Sequence, residues 1–487
     1  MTETELLRPA AAGRSRPRPA SRRSPLPVLM AGTFMLVLDF FIVNVALPSM
    51  QSGLHASASA IEWVVASYGL TCAILLVAAG RLGDLYGRRL AFATGLAVFV
   101  AASAACGFAP SAGILVAARV VQGVGAALVS PNVLSIIGAA FTGPARVRAI
   151  TIYGLVLGLA AAGGQLIGGI LIQADVAGLA WRSVFLINVP VGLAALALTP
   201  RLVPESRIAR SALPAGRTWA SRLDVPGMIL ISLGLTALVL PLVEGVARHW
   251  PAWTWASLAA APVLLAAFAA HELRQARQGR APLLDLALLR QRSMAAALAT
   301  QLIFWCGQAS LFLVLALYLQ PGRGLNALQA GLVFSIMAAA YLIASLRAPG
   351  LTVRFGRSLA AAGALTLAAG HVVLLLTIAY LGVGGHVLWL APGLLLVGGG
   401  MGLCLTALNT AVLAHATPER AGAVSGAMAT TQQVGNALGV AVTGVIFFGA
   451  LRGGYGHAMV LSLAELAALL VTVAALTRLL PRRRADG

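Results

Sequence analysis

Residues 26–49 read LPVLMAGTFMLVLDFFIVNVALPS, an apolar run broken by a single ionisable side chain, Asp39. About twenty residues of helix cross a hydrocarbon core of about 30 Å, so the run is long enough to span a bilayer. A carboxylate deep in such a helix costs about 2.5–3.5 kcal/mol on insertion scales and demands a partner, water or a proton. Similar runs recur near 61–80, 90–108, 112–138, 149–173, 183–200, 225–246, 253–271, 294–319, 328–346, 358–381, 387–414, 421–450 and 458–479. Fourteen spans predict an all-α membrane protein. The composition agrees: 59% of the residues are hydrophobic and 10% charged, against about 25% charged in an average soluble domain. The lipid bilayer is therefore the solvent for most of the chain.

The formal net charge is +20, and all 34 basic residues are arginine. If the N-terminus is cytoplasmic, 29 of them fall in cytoplasmic segments and four (Arg182, Arg248, Arg323 and Arg452) on the opposite side, leaving Arg119 inside a span. That is the positive-inside pattern, and one miscounted span would scramble it downstream. The charge thus orients a multi-pass chain with both termini cytoplasmic, and no nucleic-acid partner is needed to explain it. Trp63, Trp181, Trp250, Trp253 and Trp389 fall near the expected outer interface, as an aromatic belt would. The four cysteines form no CxxC pair, so neither a disulfide framework nor a zinc site is indicated, and no metal is expected. The chain has no lysine and no phosphate-cradling GxxxxGK[ST] motif, which excludes ATP-driven transport by this chain alone. A proton gradient is the expected energy source, with no cofactor. A membrane-embedded lipid-modifying enzyme would need a clustered catalytic set at an interface, and the sequence offers none, so the chain is not expected to be an enzyme.

Four motifs follow one another. LDFFIVNVALP at 38–48 lies in the first span, and GRLGDLYGRR at 80–89 follows the second. RVVQGVGAA at 119–127, with Ser130-Pro131, lies in the fourth. The fifth carries Gly154, Gly158, Gly163, Gly164, Gly168 and Gly169. Together they resemble the major facilitator superfamily, specifically its fourteen-helix drug:proton antiporter branch, from about residue 28 to 480. A weak internal repeat sets Gly87-Arg88 after the second span against Gly356-Arg357 after the tenth, and two related halves around a central site are a transporter design. The resemblance implies two six-helix bundles, 26–200 and 293–480, with two inserted spans and their cytoplasmic linkers at 201–292. Residues 1–25, polar and rich in arginine and proline, are expected to form a disordered cytoplasmic tail, and 481–487 a second tail. The resemblance further implies alternating access across the bacterial inner membrane, protons entering as a small hydrophobic or cationic drug leaves. Monomer is the family default. A dedicated self-resistance exporter of an endogenous natural product would keep the mechanism and change the cargo.

Asp39 is the first candidate for proton coupling, because a desolvated carboxyl can load and release protons. In the resembled family an acidic residue at this position serves proton coupling or cationic substrate binding. A structural pairing across helices, with Arg119, is the other reading. Arg119 stays protonated and must face water, carbonyls or a carboxylate; the family places it in proton coupling, and a purely architectural role is open. Around 80–89, Gly80, Gly83 and Gly87 permit a tight turn and close helix approach, and Asp84 can sit at a helix N-terminus. The resemblance makes these residues, with Arg88, a cytoplasmic latch against the start of the thirteenth span. The glycines of the fifth span allow close packing; the family treats that pattern as the antiporter helix, here Gly154, Gly158, Gly164, Gly168 and Gly169, with Gln165 where proline is usual. Asn44, Gln122, Gln301, Trp305, Gln308, Asn409, Gln432 and Asn436 are candidates to line a substrate cavity, or simply to bond neighbouring helices.

Overall fold

The computed structural model describes residues 24–205, 224–246, 248–278, 286, 291–413 and 421–479. Among them are fourteen helices long and apolar enough to cross a membrane, each overlapping one expected span. They are α1 (Leu26–Gly53), α2 (Ala58–Tyr86), α3 (Arg88–Gly107), α4 (Ala112–Ala140), α5 (Gly143–Ala174), α6 (Ala180–Leu202, stepped near Ile187) and α7 (Val225–Gly245). Then follow α8 (Ala252–Arg277), α9 (Arg292–Leu317), α10 (Ala327–Phe355), α11 (Arg357–Leu381), α12 (Ala391–Leu413), α13 (Ala421–Ala450) and α14 (Tyr455–Leu476). The expected tails at 1–25 and 481–487 and most of both central linkers lie outside the described residues.

Helix starts follow local chemistry. Ser57 and Ser111 accept N–H bonds from Ala60 and Ile114 at the heads of α2 and α4, and Asn326 with Gln329 closes a capping box on α10. Proline occupies the first turn of α1, α5 and α7, where its missing N–H costs nothing.

The 80–89 stretch is helical on both sides of a single turning residue. α2 runs unbroken to Tyr86; Gly87 alone turns the chain, at φ +115°, and Arg88 opens α3. Asp84 therefore lies in the last turn of α2 and not at a helix N-terminus. The 29 residues of α2 extend about 43 Å at 1.5 Å per residue, so its end passes the hydrocarbon core into a polar zone that tolerates charge. α10 ends the same way: Phe355, then Gly356 at φ +55°, then Arg357 opening α11. The weak repeat in the sequence is thus a repeated junction.

The repeat extends to packing. α1 packs on α5 and α6 as α9 packs on α13 and α14. α4 packs on α2 and α3 as α12 packs on α10 and α11, and α3 meets α6 as α11 meets α14. Among the described residues the main seams between the halves are α2 with α13 and α5 with α10, each the symmetry mate of the other. Small residues permit these approaches. A Cβ on Gly125 of α4 would come within 2.6 Å of the Phe99 amide nitrogen of α3, and one on Gly400 of α12 would foul the Leu367 backbone of α11. The α7–α8 hairpin lies outside this pair of halves, with α7 against α2 and α13.

Candidate transport site

Asp39 sits on the middle turns of α1 with no exposed surface (0%). Its Oδ2 accepts a hydrogen bond from the Arg119 guanidinium of α4 at 2.5 Å. Its Oδ1 accepts from Gln122 Nε2 at 2.9 Å and from Asn188 Nδ2 of α6 at 2.8 Å. Arg119, 1% exposed, also donates to the Val64 carbonyl of α2 at 2.9 Å and to Gln122 Oε1 at 2.6 Å. Its guanidinium carbon lies 4.3 Å from the Tyr68 ring centroid, a cation–π distance. Gln122 completes the network by donating to Ser103 of α3 at 2.8 Å. One carboxylate and one guanidinium thus tie together α1, α2, α3, α4 and α6. The pairing anticipated as one reading of Asp39 is present, and Gln122, a candidate to line a cavity or to bond neighbouring helices, bonds neighbouring helices in this network.

α5 runs between α1 and α10. A Cβ on Gly164 would press on Phe41 and one on Gly168 on Val45 and Ile42, all of α1, whereas one on Gly169 would come within 2.6 Å of the Ala327 carbonyl of α10. A Cβ on Gly158 would lie 3.5 Å from the Tyr341 ring, and one on Gly154 would meet nothing within 4 Å. Gln165 donates to the Phe41 carbonyl at 2.7 Å, so the amide that stands in place of proline staples α5 to α1. Beside it, between the halves, lies a narrow cleft lined by Ala161, Gln165, Phe312, Phe334, Met337, Ala338, Tyr341 and Met401. Phe312 stacks on Phe334 at 5.6 Å and meets Phe41 edge-on at 4.9 Å, an aromatic ladder from α1 through α9 to α10.

The remaining cavity candidates are spread more widely. Gln301 donates to Asn409 Oδ1 at 3.0 Å, and Asn436 donates to Gln433 at 3.3 Å. Asn44 bonds back to the Phe40 and Phe41 carbonyls of its own helix. Trp305 meets Phe304 edge-on at 5.6 Å, and Gln432 is half-buried on α13. Asn44, Gln301, Gln308 and Asn436 each keep a buried carbonyl oxygen, and Trp305 its indole nitrogen, without a protein partner. None of these five lines the aromatic cleft. In the glycine stretch, Gly80 and Gly83 face Pro131 and Asn132 of α4, and Arg88 donates to the Ser135 carbonyl, also of α4. The side chains of Asp84 and of residues 421–423 at the start of α13, the expected face of the latch, lie outside those described.

Sequence reading missed Phe312, Phe334, Met337 and Tyr341, apolar residues in apolar helices with nothing to distinguish them. It also missed Glu62, which lies at the edge of an expected span, where a carboxylate normally reaches water. Glu62 is buried at the α2–α13 seam, where its Oε2 has no hydrogen-bond partner and faces Gly444. Its neighbour Trp63 donates to Glu244 of α7 at 2.9 Å, and Glu244 pairs with Arg248 at 2.9 Å.

Fourteen spanning helices, two halves with the same internal packing, symmetric seams and a cleft between the halves define a multi-pass membrane transporter. The family model described as Major Facilitator Superfamily matches residues 29–440, and the chain belongs to that family. It is 39% identical over 438 residues to the probable actinorhodin transporter of Streptomyces coelicolor, covering 89% of this chain and 74% of that one. It is 35% identical over 431 residues to the multidrug resistance protein Stp of Mycobacterium tuberculosis, covering 87% and 76%. The solved D-xylose-proton symporter superposes with a TM-score of 0.67 at 14% identity, over 94% of this chain and 98% of that one; that likeness concerns the fold alone.

Proposed function

We propose that the protein is a proton-coupled exporter of hydrophobic or cationic drug-sized molecules, working by alternating access across the bacterial inner membrane with both termini cytoplasmic. The observation that carries the coupling is the fully buried Asp39–Arg119 pair. Two charges at membrane depth neutralise each other, and a proton delivered to Asp39 cancels the carboxylate and leaves Arg119 to the Val64 carbonyl and Gln122. Protonation is therefore linked to how tightly α1 holds α4, an element inside the first bundle that rocking can use. In this reading 26–200 and 293–480 move as two bodies, and the 201–292 insertion rides on the α2–α13 seam. Gly164 and Gly168 keep α5 on α1 while Gly169 slides at α10, and Gly80, Gly83, Asp84, Gly87 and Arg88 form the cytoplasmic latch. When the halves part, the aromatic faces of Phe312 and Phe334, with Phe41 beside them, offer stacking surfaces for a flat apolar cargo, and Asn44, Gln301, Trp305, Gln308, Asn409, Gln432 and Asn436 supply polar contacts along the path.

Relatives named for actinorhodin transport and for multidrug resistance support export over uptake. The first of them also favours a second reading, a dedicated exporter of an endogenous natural product, with the same machinery and a narrower cargo. Everted vesicles carrying the protein are expected to accumulate at least one planar cationic or neutral dye under a proton gradient and to lose it on adding an uncoupler. Accumulation that persists after the gradient collapses would remove the coupling from this proposal.

A further inference from the structure

The α7–α8 hairpin carries a second buried polar cluster that transport does not use. Asp224 is the N-cap of α7, and His271 and Glu272 lie near the C-terminal end of α8, 47 and 48 positions later in the chain. The hairpin brings one ligand atom from each within 4.8 Å of the others. His271 Nε2 lies 2.6 Å from Asp224 Oδ1. Asp224 is 3% exposed and Glu272 0%. Asp224 Oδ2 has no hydrogen-bond partner, and its direction is fixed by Gly227: a Cβ there would lie 2.6 Å from Asp224 Oδ2 and 2.7 Å from Glu272 Oε1. Two buried carboxyl oxygens therefore converge over a residue without a side chain, beside an imidazole.

We infer that Asp224, His271 and Glu272 form a divalent-metal site of the zinc class at the open end of the α7–α8 hairpin. The donor set decides the class. Magnesium and calcium take oxygen ligands, whereas one imidazole with two carboxylates suits a borderline ion such as zinc. Zinc bonds of about 2.0–2.2 Å place tetrahedral ligand atoms about 3.3 Å apart, a spacing between the observed 2.6 Å contact and the 4.8 Å span of the cluster. Outer partners are in place, since Gln275 Nε2 and the Gly227 N–H both donate to Asp224 Oδ1 at 3.3 Å. The His271 side chain is 25% exposed, which gives an ion a way in and leaves a fourth position for water. The chain between Gly245 and Ala252 joins the helices at one end, and the metal clamps the other.

The test uses the tag-free, chelator-stripped full chain in detergent, titrated with zinc and separately with cobalt. One zinc per chain, a raised melting temperature and the visible bands of four-coordinate cobalt are expected. His271→Ala and Glu272→Gln should each weaken binding by at least the ~10- to 100-fold that loss of an outer partner costs, and exposed His457→Ala should bind as the native chain does. Should a carboxylate variant fail to fold, native stoichiometry and the cobalt spectrum decide alone. Binding well below one zinc per chain, or equal affinity in His271→Ala, would overturn the site and leave two carboxyls sharing a proton.

Discussion

Asp39 and Arg119 were visible from the sequence because a charge contrasts with its apolar surroundings, and depth in a membrane forces such a charge to find a partner. Their geometry makes a sharp energetic prediction. Removing one member of a buried pair strands the other charge and costs about 3–5 kcal/mol, whereas replacing both is much milder. Arg119→Leu should therefore destabilise the detergent-solubilised protein strongly, and Asp39→Asn in the same chain should restore most of the loss. A double-mutant cycle of thermal unfolding checks this, and additive effects of the two changes would show that the pair is not the coupled unit described. Sequence was silent where contrast fails. Phe312 and Phe334 differ from their neighbours only in shape, so their ladder with Phe41 becomes apparent only when α1, α9 and α10 are brought together. Glu62 was hidden for another reason: at a span's edge a carboxylate normally reaches water, and it is α13 that closes over this one.

At the scale of helices, the existence of all fourteen spans was legible, because about twenty apolar residues allow few alternatives in lipid. Their ends were less so, since hydrocarbon thickness limits where charges begin and not where a helix stops, as the extension of α2 to Tyr86 illustrates. The glycines of α5 read collectively as a packing signal, yet they divide by partner. Gly164 and Gly168 serve α1, Gly169 serves α10, and a Cβ on Gly154 would meet nothing within 4 Å. Gly169→Val should consequently cut the initial rate of transport at least tenfold by forcing α5 and α10 apart, while Gly154→Val should leave it within about twofold, the range of a surface change. Vesicle transport assays normalised to the amount of inserted protein compare the two. Equal loss from both variants would mean that α5 acts through helix propensity and not through the seam.

For the whole molecule, the decisive feature is symmetry. The pairs α2–α13 and α5–α10 exchange under the relation that carries one half onto the other, so opening one end of the molecule and closing the other can use the same contacts in mirrored order. The sequence hinted at this through two Gly-Arg junctions, too short a match to establish a repeat, and helix packing supplies the rest. Such a scaffold permits alternating access, and the proposed coupling to protons rests on Asp39. The most direct test is proton movement itself. Purified protein in liposomes holding a pH-sensitive dye is given a transported substrate, and substrate-driven proton flux is followed for the native chain and for Asp39→Asn, with substrate binding measured on both. Native flux of protons opposite to substrate, abolished in an Asp39→Asn variant that still binds substrate, is the predicted result. Undiminished proton flux in the variant would contradict the account and reduce the Asp39–Arg119 pair to architecture.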